Sequence, residues 1–209
     1  MAASSTVVGL VAACIVALGV RPALAADKSD WPCVQHKVDT LTSAQMWDGP
    51  AVDDLTQWRD DEQIGKLIAV LASRRVPLEQ AAAAVGQFAD AQPQDKRNEA
   101  LKLLFAGLLA TINGDRAVVM AGIERFQQRQ KARAAEIERQ SAALRQPKER
   151  AASDERARSE LAAAEEKYDW DVRVFTERQQ SLPLACEVPV LIEQRLFELA
   201  RAIRERMTD

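Results

Sequence analysis

The segment 115–182 restricts the fold of this chain more than any other part of its sequence. It contains one glycine, Gly122, and one proline, Pro147, and it is rich in Ala, Glu, Arg and Gln. These four residue types favour helices, whereas glycine and proline interrupt them. The segment therefore predicts long helices on either side of Pro147.

Two seams of regularly spaced residues predict that these helices pair as an antiparallel coiled-coil hairpin. Residues three or four apart lie on one face of a helix. The first seam is Val119, Ile123, Phe126, Gln130, Arg133, Ile137, Gln140 and Leu144, and the second is Leu161, Glu165, Tyr168, Val172, Phe175, Gln179 and Leu182. A fold-back near residue 149 would place Ile137 against Leu161 and Phe126 against Val172. Each arm would have about 30 residues and a length of about 45 Å.

The remaining segments predict a compact helical base from which the hairpin projects. Apolar residues recur at helical spacing over 54–73, 77–92, 99–112 and 189–207. Asn113-Gly114 predicts a helix end, and Pro183 predicts a loop before the last helix. The predicted all-α organisation is a signal peptide at 1–25, an irregular N-terminal strap at 26–53, a helical base at 54–114, a helical hairpin at 115–182 and a C-terminal helix completing the base at 183–209.

The first residues predict export from the cytoplasm. An apolar run from Val7 to Val20 precedes Arg21-Pro22, and Ala23-Leu24-Ala25 has the small-x-small pattern that signal peptidase recognises. Cleavage after Ala25 would leave a periplasmic or secreted protein without a stable membrane span. No Lys or Arg precedes the run, and two alternatives stay open: an uncleaved anchor, and a lipoprotein cleavage box at Cys14.

The cysteines predict one disulfide in the exported chain. Cys14 leaves with the leader, and Cys33 and Cys186 remain. An even number of cysteines in an oxidising compartment favours their pairing. The alternatives are a redox-active pair and a metal site formed by both thiolates with the imidazole of His36.

The chain lacks the usual residues and motifs of catalysis. His36 is its one histidine, and it has no glycine-rich phosphate loop, zinc-protease motif, calcium loop or haem-attachment motif. The sequence therefore predicts no enzyme, no cofactor and no resident metal. The formal net charge of −3 also argues against nucleic-acid binding. We interpret the four tryptophans as staples of irregular segments on the helical core: Trp31, Trp47, Trp58 and Trp170.

The hairpin tip is the predicted partner-binding region. Segment 115–182 carries 14 Lys or Arg and 13 Asp or Glu, a mixture that is typical of pairing between helices. The tip has almost no apolar side chains, and two interpretations stay open: a solvated end without a partner, or a projecting arm that contacts an envelope protein or a second copy of the chain. The candidate contact residues are Arg139, Leu144, Arg145, Lys148, Arg150 and Arg156.

Three short segments carry a resemblance to other proteins: Trp31-Pro32-Cys33, Cys186-Glu187-Val188-Pro189 and Leu191-Ile192-Glu193-Gln194-Arg195. With these residues the chain resembles a set of exported helical proteins of proteobacteria. The resemblance implies export and a helical fold, and it implies no activity. The hairpin alone is similar in architecture to periplasmic coiled-coil adaptors.

Together these features predict a non-enzymatic periplasmic interaction or scaffold protein that acts through its hairpin. The alternative is a periplasmic protein that binds a small ligand or a metal with its base and the strap around His36.

The disulfide prediction is tested by counting free thiols in protein purified from the periplasm. We expect none in the mature chain. Closing a loop of about 150 residues would stabilise the fold by up to about 5 kcal/mol in the chain-entropy model. Two unreactive free thiols would contradict the disulfide, and bound zinc would support the metal site.

Overall fold

The computed structural model describes residues 30–145 and 154–208, and over these ranges the chain is helical with no strand. The elements are α1 (Ser43–Met46), a 3₁₀ turn (Gln57–Arg59), α2 (Glu62–Ala72), α3 (Leu78–Ala91), α4 (Gln94–Ala143) and α5 (Glu155–Arg204). The predicted all-α fold is confirmed. The predicted signal peptide lies outside the described residues.

The helix predicted over 54–73 is shorter than its apolar pattern suggests. The segment first forms the 3₁₀ turn, and α2 begins only at Glu62. The reason is a cap: the Asp61 carboxylate accepts a hydrogen bond from the backbone N–H of Ile64 at 2.9 Å. Such a cap satisfies a donor that the first turn of a helix leaves free.

The predicted helix end at Asn113-Gly114 is wrong, because α4 continues through both residues to Ala143. Gly114 does not take the positive φ that would end a helix. The Asn113 side chain bonds the backbone of Leu41 in both directions, at 2.9 Å each. Asn113 thus ties the strap to α4 and does not terminate the helix.

The predicted loop after Pro183 is also wrong, because α5 includes both Pro183 and Pro189. A proline inside a helix lacks an N–H and leaves a carbonyl of the preceding turn without its donor. Pro183 is exposed, so water can reach that turn. Pro189 leaves the Ala185 carbonyl without its helical donor, and the strap contacts the next carbonyl along: the Gln35 side-chain amide donates to the Cys186 carbonyl.

The core lies where the first half of α4 and the last third of α5 pack against α2, α3 and the strap. Trp47 stacks on Phe105 with 4.3 Å between ring centroids. Gly107 allows close packing on α2, since a Cβ there would lie 2.4 Å from Ile68 Cδ1. By length and composition alone α4 could cross a membrane, but its fully buried side chains belong to this core: Leu101, Leu104, Phe105 and Leu108.

Beyond the core, α4 and α5 continue side by side as the distal arm, defined here as residues 121–143 and 155–185. Every residue of the two predicted seams is buried or half-buried, so the predicted faces are correct. The predicted register is wrong. It would place Gln140 opposite Arg158, whereas Gln140 bonds Asp171, several helical turns further along α5. As a result, the first turns of α5 extend past the end of α4.

The two internal prolines generate a stability prediction. Replacing exposed Pro183 by Ala restores a helical N–H, which stabilises the helix. The substitution also gives the unfolded chain more conformational freedom, which offsets part of this gain. We expect a net increase of about 1–2 kcal/mol in the free energy of unfolding. Urea unfolding followed by circular dichroism measures the change. The control is Pro93→Ala at the N-cap of α4, where no intrahelical bond is missing. A gain in the control equal to that of Pro183→Ala would contradict this explanation.

Candidate functional site

The predicted disulfide is confirmed, and it anchors the strap to α5. Cys33 and Cys186 are bonded with an S–S distance of 1.99 Å. Ion pairs fasten the strap to α4 on the same side of the molecule: Asp30 contacts Lys131 at 2.6 Å, and Lys37 contacts Glu124 at 2.8 Å. The strap is therefore held along the root of the distal arm, and not only at the core.

The strap does not assemble the alternative metal site in the described residues. Both cysteine sulfurs are bonded to each other, and the His36 side chain is exposed. Across residues 30–145 and 154–208, no three His, Cys, Asp or Glu side chains lie close enough together to hold a metal ion.

A polar layer lies between the two helices of the distal arm. Asp171 of α5 is only 6% exposed and accepts hydrogen bonds from Lys167 at 2.7 Å and from Gln140 at 2.9 Å. Arg133 lies 3.5 Å from the same carboxylate. The bonds from Lys167 and Gln140, aided by the charge of Arg133, lower the pKa of Asp171 below its ordinary value.

Four of the six predicted tip residues lie in the described part of the chain, and these four do not form one cluster. Arg139 pairs with Glu136 on its own helix, and Arg156 pairs with Glu160 on the next one. Only Leu144 and Arg145 meet α5, across a small cavity that they share with Glu165, Tyr168 and Asp169. Lys148 and Arg150 lie outside the described residues.

An exposed tryptophan on the arm is a further candidate contact, beside the predicted tip residues. Trp170 is 61% exposed and lies on the outer side of α5. It forms, with its neighbours, a surface that we call the Trp170 face: Ala162, Ala163, Glu165, Glu166, Lys167, Asp169, Trp170 and Arg173. The interpretation of all four tryptophans as staples is wrong for Trp170. The sequence contains a signal for this exposure. Trp170 is two residues from each of the seam residues Tyr168 and Val172, and this spacing puts it on the opposite side of the helix.

A second candidate is an apolar groove beside the disulfide, with a volume of about 510 Å³. The strap and α5 line it mainly with Pro32, Val34, Leu182, Pro183, Val190 and Leu191. Val34 is fully exposed, and Leu191 is 54% exposed. Apolar surface next to a covalent anchor is the kind of concave site that binds small ligands or apolar segments.

The fold and these surfaces define an all-helical protein with a projecting arm and a disulfide-anchored strap. No protein-family model matches the chain, and no curated protein or solved structure matches it significantly. Its function has to be inferred from its own residues.

The polar layer predicts an acid-dependent contribution to stability. Because folding lowers the pKa of Asp171 below 3.8, its ionised form stabilises the fold fully above that pH, and less as the pH falls through the lowered value. Asp171→Asn should therefore lower the urea midpoint at neutral pH, and the difference from wild type should shrink in acid.

The matched control is Asp169→Asn. Asp169 is an exposed carboxylate two residues away on the same helix. We expect the urea midpoint of the Asp169→Asn variant to equal that of wild type at every pH tested. A difference between wild type and Asp171→Asn that is independent of pH would contradict the role assigned to the Asp171 charge.

Proposed function

We propose that this chain is a non-enzymatic interaction or scaffold protein of the periplasm that binds an envelope protein through the Trp170 face of its distal arm. The observation that supports this function most directly is the 61% exposure of Trp170. Tryptophan is enriched among the residues that dominate binding energy at protein interfaces. Leaving such a large apolar ring in water is unfavourable unless a partner covers it.

The position of Trp170 supports binding at a distance from the core. From residue 121 to its end, α4 extends by about 35 Å, and Trp170 lies on the helix that accompanies it. The arm has few buried apolar residues in its interface, since Gln130 and Asp171 occupy two of its buried positions. A partner laid along α5 would add apolar contacts that the arm itself lacks.

The composition of the face favours a helical partner. Ala162 and Ala163 are small and allow close approach, while Glu166 and Arg173 provide charges of both signs at the rim. An amphipathic helix could place an apolar residue against the indole and pair its own charges with the rim. The partner we propose is therefore an α-helical segment of an envelope protein.

The disulfide and the leader support a periplasmic location. Disulfides persist in oxidising compartments, and the pattern over 1–25 is that of a cleaved signal peptide. The resemblance to exported helical proteins agrees with the same location.

We expect a photo-crosslinking amino acid at Ala163 to capture one discrete envelope protein in intact cells. Trp170→Ala should reduce this capture by about tenfold or more, because the ring supplies the main apolar contact. Mass spectrometry of the adducts identifies the partner. Circular dichroism should show an unchanged fold, since the side chain is mostly outside the protein.

Two controls accompany this experiment. Phe197→Ala removes another exposed aromatic ring from α5, 46% exposed but in the base, and should leave capture unchanged. A probe at exposed Gln80 on α3 should give no adduct. Adducts only with a second copy would replace the envelope partner by self-association. Capture that survives Trp170→Ala would overturn the assigned face.

The apolar groove favours one alternative, a periplasmic protein that binds a small apolar ligand. Its volume lies within the range of about 300–1,000 Å³ that is common for such sites. A ligand binder would tolerate Trp170→Ala in cells and lose its activity on substitution of Leu191 by Ser. The opposite pattern favours the scaffold.

A further inference from the structure

A third groove lies in the base, on a different part of α5 from the Trp170 face. The loop after α2 forms one wall, and α4 and α5 form the others, around a volume of about 650 Å³. Its floor is apolar, with Ile112 and Ile192 almost fully buried and Val119 half-buried. Its rim is strongly basic.

One rim residue, Arg195, has a buried nitrogen without a partner. The Nε of Arg195 donates a hydrogen bond to the carbonyl of Leu71 at 2.7 Å. Its Nη2 is shielded from solvent, yet no atom of the described chain accepts a hydrogen bond from it. Burial also lowers the pKa of this guanidinium. A buried donor without an acceptor is unfavourable. Because this nitrogen is shielded from solvent, a bound anion would reach it only when the guanidinium turns toward the groove.

The charges around the groove favour an anionic acceptor. Arg74 and Arg75 are exposed beside Arg195, and none of the three forms an ion pair within the described chain. Asp115 is the one acidic residue among the described residues of the lining. Arg116 also has buried nitrogens without a partner, its Nε and Nη1, but its charge is balanced by Glu193, whereas no such counter-charge pairs with Arg195 in the described chain. This groove, which we call the basic groove, therefore has an excess of positive charge.

We propose that the basic groove binds a small amphiphilic anion, with its carboxylate or phosphate group on the three arginines and its apolar chain on the floor. Guanidinium groups match both kinds of oxyanion because their N–H donors form a planar fork. Val118 is 70% exposed at the rim, and it extends the apolar surface outward in the direction that the apolar chain of the ligand would take. The groove volume suits a small ligand. This activity is independent of the arm.

Calorimetric titration of the purified protein tests the proposal with four probes: octanoate, octyl phosphate, 1-octanol and inorganic phosphate. We expect octanoate and octyl phosphate to bind, and octanol and inorganic phosphate to bind at least about tenfold more weakly, since each lacks half of the ligand. The tighter of the two amphiphiles assigns the head group. Equal binding of octanol or of inorganic phosphate overturns the amphiphilic anion, and absence of binding overturns the site.

Substitutions locate the binding in the groove. Arg195→Met should weaken octanoate binding by about tenfold or more, because it removes the charged donor. This variant also loses the bond to Leu71, so the double variant Arg74→Gln/Arg75→Gln provides a second test on exposed side chains. It should weaken binding severalfold without changing the fold.

The matched control removes two exposed arginines from the arm, as Arg129→Gln/Arg178→Gln. It should leave octanoate binding unchanged, and so should Trp170→Ala. Binding that is unaffected by both groove variants, or weakened equally by the arm control, overturns the proposal. Because Trp170→Ala acts only on partner capture, failure of this inference can be distinguished from failure of the proposed scaffold function.

Discussion

The ion pair between buried Arg116 and half-buried Glu193 is the interaction on which the arrangement of the long helices depends. Arg116 is 1% exposed, and it also donates to the backbone carbonyl of Val38 at 3.2 Å. A buried charge is stable only with its counter-charge in place, so sliding α4 along α5 would leave the guanidinium unpaired. One side chain thereby fixes α4, α5 and the strap at the point where the core ends and the arm begins.

This polar constraint explains why the sequence predicts the faces of the arm correctly and its register incorrectly. Apolar seam residues recur every three or four positions, so several registers bury them almost equally well. Charged and amide groups are more selective, because Asp171 needs Gln140 and Arg133 of the facing helix close to its carboxylate. Choosing the partners of buried polar groups from the sequence requires the helix ends to be known.

The helical fold, the disulfide and the buried sides of both long helices could be predicted from composition, cysteine number and spacing. The ends of the helices could not, because tertiary contacts override local signals at these positions. Asn113 bonds the strap, and Pro183 and Pro189 lie inside a helix that packing and the disulfide hold together. For the candidate site, the sequence pointed only to the hairpin as the partner-binding region, and not to Trp170. Residue type alone would place Trp170 in the core, whereas its helical position places it outside, and the basic groove combines residues far apart in sequence.

The disulfide also determines how the molecule would carry a mechanical load. Cys33 and Cys186 are 153 positions apart, and they enclose α1 to α4 and most of α5 in one covalent ring. Tension applied between residues 30 and 208 would pass from the strap across the sulfur–sulfur bond into the last turns of α5. The residues inside the ring, including the arm and its exposed indole, would lie off that covalent path.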